Sequence, residues 1–225
     1  MTTVATHPNS VAEKLTGRSY VSFSALSTYR QCPLRYAFRY IEGRPEEVVP
    51  SSLVFGGAIH AAIEQHFNEL MAGSSAPSLD TLLAAFWDSW RGAGEEATIQ
   101  FAKSEDLGTV TQLAQRVLAA FQQSDAAEAE GRILGVEEEL RGELVPGVPD
   151  LLARIDLLTM TDEALVVTDF KTARSRWSSD HADEAGEQLL LYGELARRLT
   201  PDKPVAGADS LRVPANQKNK CPGDG

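Results

Sequence analysis

Leu165-Val166-Val167-Thr168-Asp169-Phe170-Lys171 decides the reading of this chain: an apolar run that ends in a carboxylate and an ammonium two positions apart. The run has strand composition, and residues two apart on a strand share a face. Asp169 and Lys171 are therefore expected side by side at a strand end, with Val166 and Phe170 on the opposite face. A carboxylate ligates a hard cation such as Mg²⁺, and a neighbouring lysine can orient an attacking water. The same three residues also end many strands with a plain surface ion pair, so the pattern needs company.

That company lies thirteen residues earlier. In Leu152 to Leu158, Ala153, Ile155 and Leu157 alternate with Arg154 and Asp156, as on a half-buried strand. Two adjacent strands would bring Asp156 and Asp169 to one cation. Further strands are expected at Ile133-Leu134-Gly135-Val136 and from about Ser210 to Val213.

The first half reads as helical. Ser24 is a candidate N-cap for a short helix ending near Gln31, Pro33 opens the next, and Gly43 closes it. A third helix should follow Gly56-Gly57 and run from about Ala58 to Leu70, with Ile59, Ile63, Phe67 and Leu70 as its apolar stripe. Gly73 to Ser78 is a loop by composition. Leu79 to Arg91 and Leu107 to Glu130 read as helices separated by a Gly92-Ala93-Gly94 break, and a last helix covers about Ala182 to Leu199. Helices, then strands, a helix and a strand indicate an α/β or α+β fold with a mixed central sheet. The expected organisation is a tail over 1–18 and a single domain over 19–215. That domain divides into a helical portion at about 22–130 and a sheet core at about 131–215. A polar tail follows over 216–225, ending abruptly.

Other residues could share the chemistry. His60 would lie one turn into the third helix, where an imidazole can ligate Mn²⁺ or Mg²⁺ or simply be a satisfied structural group. Glu64 follows one turn later and could orient it. His66 and His181 have no such context. Gln188 and Tyr192, four apart, share a helix face that could meet phosphate, sugar or base, or form an ordinary polar stripe. Glu187 is either a further ligand or solvated.

Composition narrows the classes. The 225 residues carry a net charge of −11, which argues against a general nucleic-acid coating protein. Yet five arginines (Arg18, Arg30, Arg35, Arg39, Arg44) stand between positions 18 and 44 against one acid, Glu42. Arg30, Arg35 and Arg39, interleaved with Tyr29, Tyr36 and Tyr40, could hold a single strand by charge and stacking; equally, the aromatics could be buried and the arginines solvated. No basic leader precedes an apolar stretch, no run reaches the ~20 residues that span a bilayer, and Cys32 and Cys221 form no CxxC pattern. A cytoplasmic setting without membrane association is expected. No GxxxxGK[ST] loop supports a hydrolase of small phosphorylated substrates.

Five segments in order give a resemblance: Ser24-Ala25-Leu26-Ser27-Thr28-Tyr29-Arg30-Gln31-Cys32-Pro33-Leu34-Arg35-Tyr36, Phe55-Gly56-Gly57-Ala58-Ile59-His60, Ala153-Arg154-Ile155-Asp156, Val167-Thr168-Asp169-Phe170-Lys171-Thr172 and Gln188-Leu189-Leu190-Leu191-Tyr192. Over residues 20 to 200 the chain resembles the RecB-like branch of the PD-(D/E)XK nuclease superfamily. That branch includes recombination helicase-nuclease domains and CRISPR-associated RecB-like exonucleases. The resemblance implies a restriction-endonuclease-like core and a Mg²⁺- or Mn²⁺-dependent DNA exonuclease in repair, recombination, or phage or CRISPR DNA processing, with a helicase or CRISPR protein as its kind of partner. It implies His60, Asp156, Asp169 and the Phe170 carbonyl as metal ligands and Lys171 as the residue acting on water. Gln188 and Tyr192 would line the DNA path. Members with a 4Fe–4S cluster need four cysteines. Cys32-Pro33 fits the first, only Cys221 stands near the end, and no cluster is expected. Cys32 should then be a small buried residue. The rival expectation is a non-catalytic DNA-binding or assembly subunit on the same fold.

Overall fold

The computed structural model describes residues 11–173, 179–207 and 211–214. A helical portion leads into a mixed sheet, as the change of hydrophobic period indicates. In chain order the elements begin with α1 (Val11–Thr16), β1 (Tyr20–Ser22), α2 (Phe23–Gln31), α3 (Pro33–Tyr36) and a π-helical turn at Ala37–Ile41. Then come β2 (Val48–Pro50), α4 (Ser51–Met71), α5 (Leu79–Glu96), β3 (Thr98–Gln100), α6 (Leu107–Gln122) and a 3₁₀ turn at Asp125–Ala127. The sheet portion holds β4 (Arg132–Gly142), β5 (Asp150–Met160), β6 (Leu165–Thr168), β7 (Phe170–Ala173), α7 (Ser179–Ala196), β8 (Val205–Gly207) and β9 (Leu211–Pro214).

Several boundaries differ from the sequence expectation. Ser22, not Ser24, caps α2, accepting the Ala25 N–H. The helix carrying His60 starts at Ser51, after Pro50 in extended backbone, so His60 sits mid-helix instead of near an N-terminus. Gly56 and Gly57 remain inside it; a Cβ on Gly56 would make an ordinary contact with Thr172 at 3.5 Å and one on Gly57 would meet nothing within 4 Å, so the helix runs through both. Gly92-Ala93-Gly94 is likewise absorbed into α5, and α6 stops at Gln122. Cys32 is exposed, not buried: its Sγ accepts the Arg35 N–H and caps α3. Among the described residues no helix is long and apolar enough to cross a membrane.

The main sheet runs β1-β5-β6-β8, with β4 on the other edge of β5. β1 pairs parallel with β5 over Asp150 to Leu152, and β6 pairs antiparallel with β5 over Leu157 to Met160. Both use the same edge, so among the described residues the stretch between Leu152 and Leu157 has no strand on that side. The chain then leaves the main sheet after Thr168, and β7 begins a separate parallel pair with β9. The run expected as one strand is thus two, with Asp169 at the break.

Two cores hold this fork. Val54, Phe55, Ile59, Phe67, Phe86 and Phe121 of α4, α5 and α6 form one, joined by Leu157 and Phe170. Phe170 stacks on Phe67 at 5.7 Å and meets Phe121 edge-on at 6.2 Å. The middle residue of the Asp169-Phe170-Lys171 motif therefore ties β7 into the helical core, since each buried aromatic ring removes a large apolar area from water. The second core joins Phe23, Leu151, Ile155, Leu165 and Val167 to Tyr192, Leu195 and Ala196 of α7.

Candidate metal centre

The acidic residues gather around Asp156 of β5. Asp156 Oδ2 accepts the Phe170 N–H at 2.6 Å, a bond that ties β5 to the start of β7 across the fork. His60 Nδ1, presented from α4, lies 3.6 Å from Asp156 Oδ2 and 4.0 Å from Glu137 Oε1. One ligand atom each from His60, Glu137 and Asp156 all fall within 4.8 Å of one another. A histidine nitrogen and two carboxylates in that space form a donor set suited to a divalent cation.

Glu137 was not among the sequence candidates. It follows the irregularity in β4 between Ile133 and Gly135, and the register beyond it, Val136 opposite Leu157 and Glu138 opposite Ile155, sets Glu137 across from Asp156. Its backbone is left-handed, with φ +51°. Non-glycine residues adopt that region at a cost, and strained residues of this kind cluster at functional sites. Gly135 takes part in the same distortion, because a Cβ there would run into the Glu138 side chain.

The electrostatics show an excess of negative charge. Burial, and then the charge of Asp156, push the Glu137 carboxyl up to about 7. For His60, burial opposes the imidazolium, but the hydrogen bond and charge of Asp156 and the charge of Glu137 outweigh it, so its pKa is raised. These are the shifts of titratable groups crowded together at partial burial, and a hard dication would reverse the carboxylate shift. The residues present fit such an ion.

Asp169 and Lys171 form an adjoining group. Asp169 is 4% exposed, and its Oδ1 accepts from Lys171 Nζ at 2.8 Å and from Gln188 Nε2 at 3.1 Å. Lys171 Nζ also donates to Gln188 Oε1 at 3.2 Å. Burial raises the Asp169 pKa, Lys171 opposes the rise, and Asp156 adds to it. Asp169 is not one of the three residues within 4.8 Å of one another. Its side-chain hydrogen-bond partners are Lys171 and Gln188.

The other candidates separate. Tyr192 is buried in the second core, where burial raises its phenol pKa and a hydrogen bond with Gln188 opposes the rise. Glu187 bonds Arg30 at 2.5 Å, and so bridges α7 to α2 without joining the ligand group. Arg35 and Arg39 both approach Glu46, at 3.8 and 3.4 Å. Glu64 adds to the negative field on Glu137, and among the described residues no hydrogen bond joins it to His60. His66 is structural: it is buried and its Nε2 pairs with the Ala127 carbonyl at 2.8 Å. His181 and Cys221 lie outside the residues whose side chains are described.

Comparison with curated proteins finds no match. A comparison with family models does find one: the model described as the PD-(D/E)XK nuclease superfamily matches residues 20–222. That span takes in the mixed sheet, the α4 histidine, the forked acidic site and the Asp169-Phe170-Lys171 motif. By fold, motif order and matched length, the chain belongs to the PD-(D/E)XK nuclease superfamily.

Proposed function

We propose that the protein is a RecB-like, divalent-cation-dependent deoxyribonuclease that works as an exonuclease in cytoplasmic DNA repair, recombination, or phage or CRISPR DNA processing. Membership of the superfamily gives phosphodiester hydrolysis as the reaction class and DNA as the substrate class. One observation carries the reading furthest. The His60–Glu137–Asp156 group and the Asp169–Lys171–Gln188 group are coupled by the bond from the Phe170 amide to Asp156.

In this reading His60, Asp156, Asp169 and the Phe170 carbonyl hold the cation, and Glu137 joins them. A Mg²⁺ or Mn²⁺ ion bound there supplies Lewis-acid polarisation of a phosphate oxygen. The chain supplies the rest. Gln188 fixes both Asp169 and Lys171, so the ammonium is set against the carboxylate in one rotamer. From that position Lys171 orients a water for in-line attack and favours loss of its proton through its positive charge. The Asp156–Phe170 bond keeps the two strands in register while charge builds on the phosphate.

The test uses purified protein with Mg²⁺ or Mn²⁺ and end-labelled linear, circular and single-stranded DNA. Linear DNA should be degraded from its ends and circular duplex spared. Lys171→Ala and Asp169→Ala should each abolish cleavage with the circular dichroism spectrum unchanged. Parent-rate cleavage by either variant would sink the site assignment. Binding without degradation by the parent would favour a non-catalytic DNA-binding subunit.

A further inference from the structure

Lys171 and Arg154 both act on the metal centre, the first through its charge on His60, the second through its charge on Glu137. Lys171 is committed, its Nζ held between Asp169 and Gln188. Arg154, whose side chain is 65% exposed, is not.

The ladder fixes where Arg154 stands. It precedes Asp156 by two residues on β5, so the two share a face and lie about 6.6 Å apart along the strand. The register sets Glu139 of β4 opposite it. Arg154 Nη2 donates to Glu139 Oε1 at 2.6 Å, and Nε stands 4.0 Å from Glu137 Oε2. Exposed pairs of this kind add little to stability. What the two carboxylates do is orient the guanidinium, while among the described residues Nη1 makes no hydrogen bond.

We propose that Arg154 binds the phosphate next to the scissile one, so that metal ion and guanidinium hold neighbouring phosphates of one strand. The planar fork has five donors and suits a phosphate, so Arg154 can keep Glu139 and still offer Nη1. Two residues along β5 match the step from one phosphate to the next. A metal ion alone attracts either phosphate; a second point of attachment decides which bond faces Lys171. Local charge makes that attachment necessary. Glu139, Glu137 and Glu64 all act on Arg154, and the same acids repel an approaching polyanion unless this cation offsets them. Which phosphate is cut rests on the nuclease reading above; the phosphate contact itself does not.

The experiment measures single-turnover cleavage of an end-labelled oligodeoxynucleotide at saturating Mn²⁺, which keeps any change in metal affinity out of the rate. One neutral methylphosphonate linkage is placed beside the bond that the parent cuts, on its 5′ or its 3′ side. On one of the two sides it should slow the parent about tenfold, one charge-assisted contact being lost. Arg154→Ala should be slowed by about the same factor on the all-phosphate strand. The neutral linkage should then slow that variant by less than about twofold more, because both changes remove one contact. A mere counter-ion of Glu137 and Glu139 would leave the linkage as costly to the variant as to the parent, and that result would overturn the proposal. So would parent-rate cleavage by Arg154→Ala, or no effect of the linkage on either side. If Arg154→Ala fails to fold, Arg154→Gln, which keeps a donor for Glu139, replaces it. Anisotropy binding of the same strands in Ca²⁺, with the neutral linkage at each position in turn, keeps the two readings apart. Cleavage without the coupling removes Arg154 and spares the nuclease; coupling in binding without any cleavage does the reverse.

Discussion

Glu137 stands across the β4–β5 ladder from Asp156, held there in a left-handed backbone conformation, with its Oε1 4.0 Å from the His60 ring. Two carboxylates facing each other at partial burial repel, and nothing in the sheet requires them to. The pairing is sensible as half of a cation site, and it generates consequences that can be measured.

Glu137→Gln keeps the shape and removes the charge. Mn²⁺ affinity, followed by isothermal titration calorimetry, should fall by at least the 10- to 100-fold typical of losing a supporting partner of a metal ligand. Cleavage at limiting Mn²⁺ should fall with it and recover partly at higher Mn²⁺. Unchanged affinity would remove Glu137 from the ligand set.

The strained backbone separates function from stability at the same residue. Glycine adopts φ near +51° without the roughly 1–2 kcal/mol that an L-residue incurs. In EDTA, Glu137→Gly should therefore unfold at a higher urea midpoint than Glu137→Ala, while both variants lose metal affinity. A less stable glycine variant would show that φ +51° is not what the folded chain needs there.

Stability should depend on pH in a direction opposite to ordinary acid denaturation. Glu137 binds its proton more tightly in the folded chain, near 7 against 4.5 unfolded, so the folded state holds more protons across that window. Unfolding free energy from this group then falls as pH rises from about 4.5 to about 7. His60, with its pKa raised above 6.5, contributes stability below that value that is lost as pH climbs through its folded pKa. In EDTA the melting temperature should drop between pH 5.5 and 8 by more for the parent than for Glu137→Gln. Added Mn²⁺ should stabilise the parent most at pH 8, where the ligands are deprotonated.

Phe170→Ala should cost about 3–5 kcal/mol in urea unfolding, as for a buried aromatic truncated to alanine. The ring stacks on Phe67 and touches Phe121, so the loss should be non-additive with Phe67→Ala. Additive losses would mean that the contact carries no coupling.

Much of this was legible in the residues. The alternation about Asp156 and the Asp169/Lys171 spacing mark strands directly, because a period of two leaves few alternatives. Gly56-Gly57 misleads, because glycine is read as a breaker where here both residues lie inside the long helix α4. Glu137 escaped for a different reason. Glu137-Glu138-Glu139 is a run of like charges, which ordinarily marks a solvated face, and a strand ending at Val136 left it outside the sheet. Only the bulged register and the left-handed φ single out the first of the three, and both belong to the folded backbone. The break at Asp169 was hidden similarly: composition runs smoothly through it, while the partner strand changes from β5 to β9.

Phe170 is at once the centre of the Asp169-Phe170-Lys171 motif and a wall of the helical core. An enzyme whose reactive residues sit on a loose loop loses activity on warming before its body melts. Here the helices α4 and α6 grip the motif through one ring, so displacing Phe170 disturbs their core as well. Heat inactivation and loss of helical ellipticity should follow a single curve.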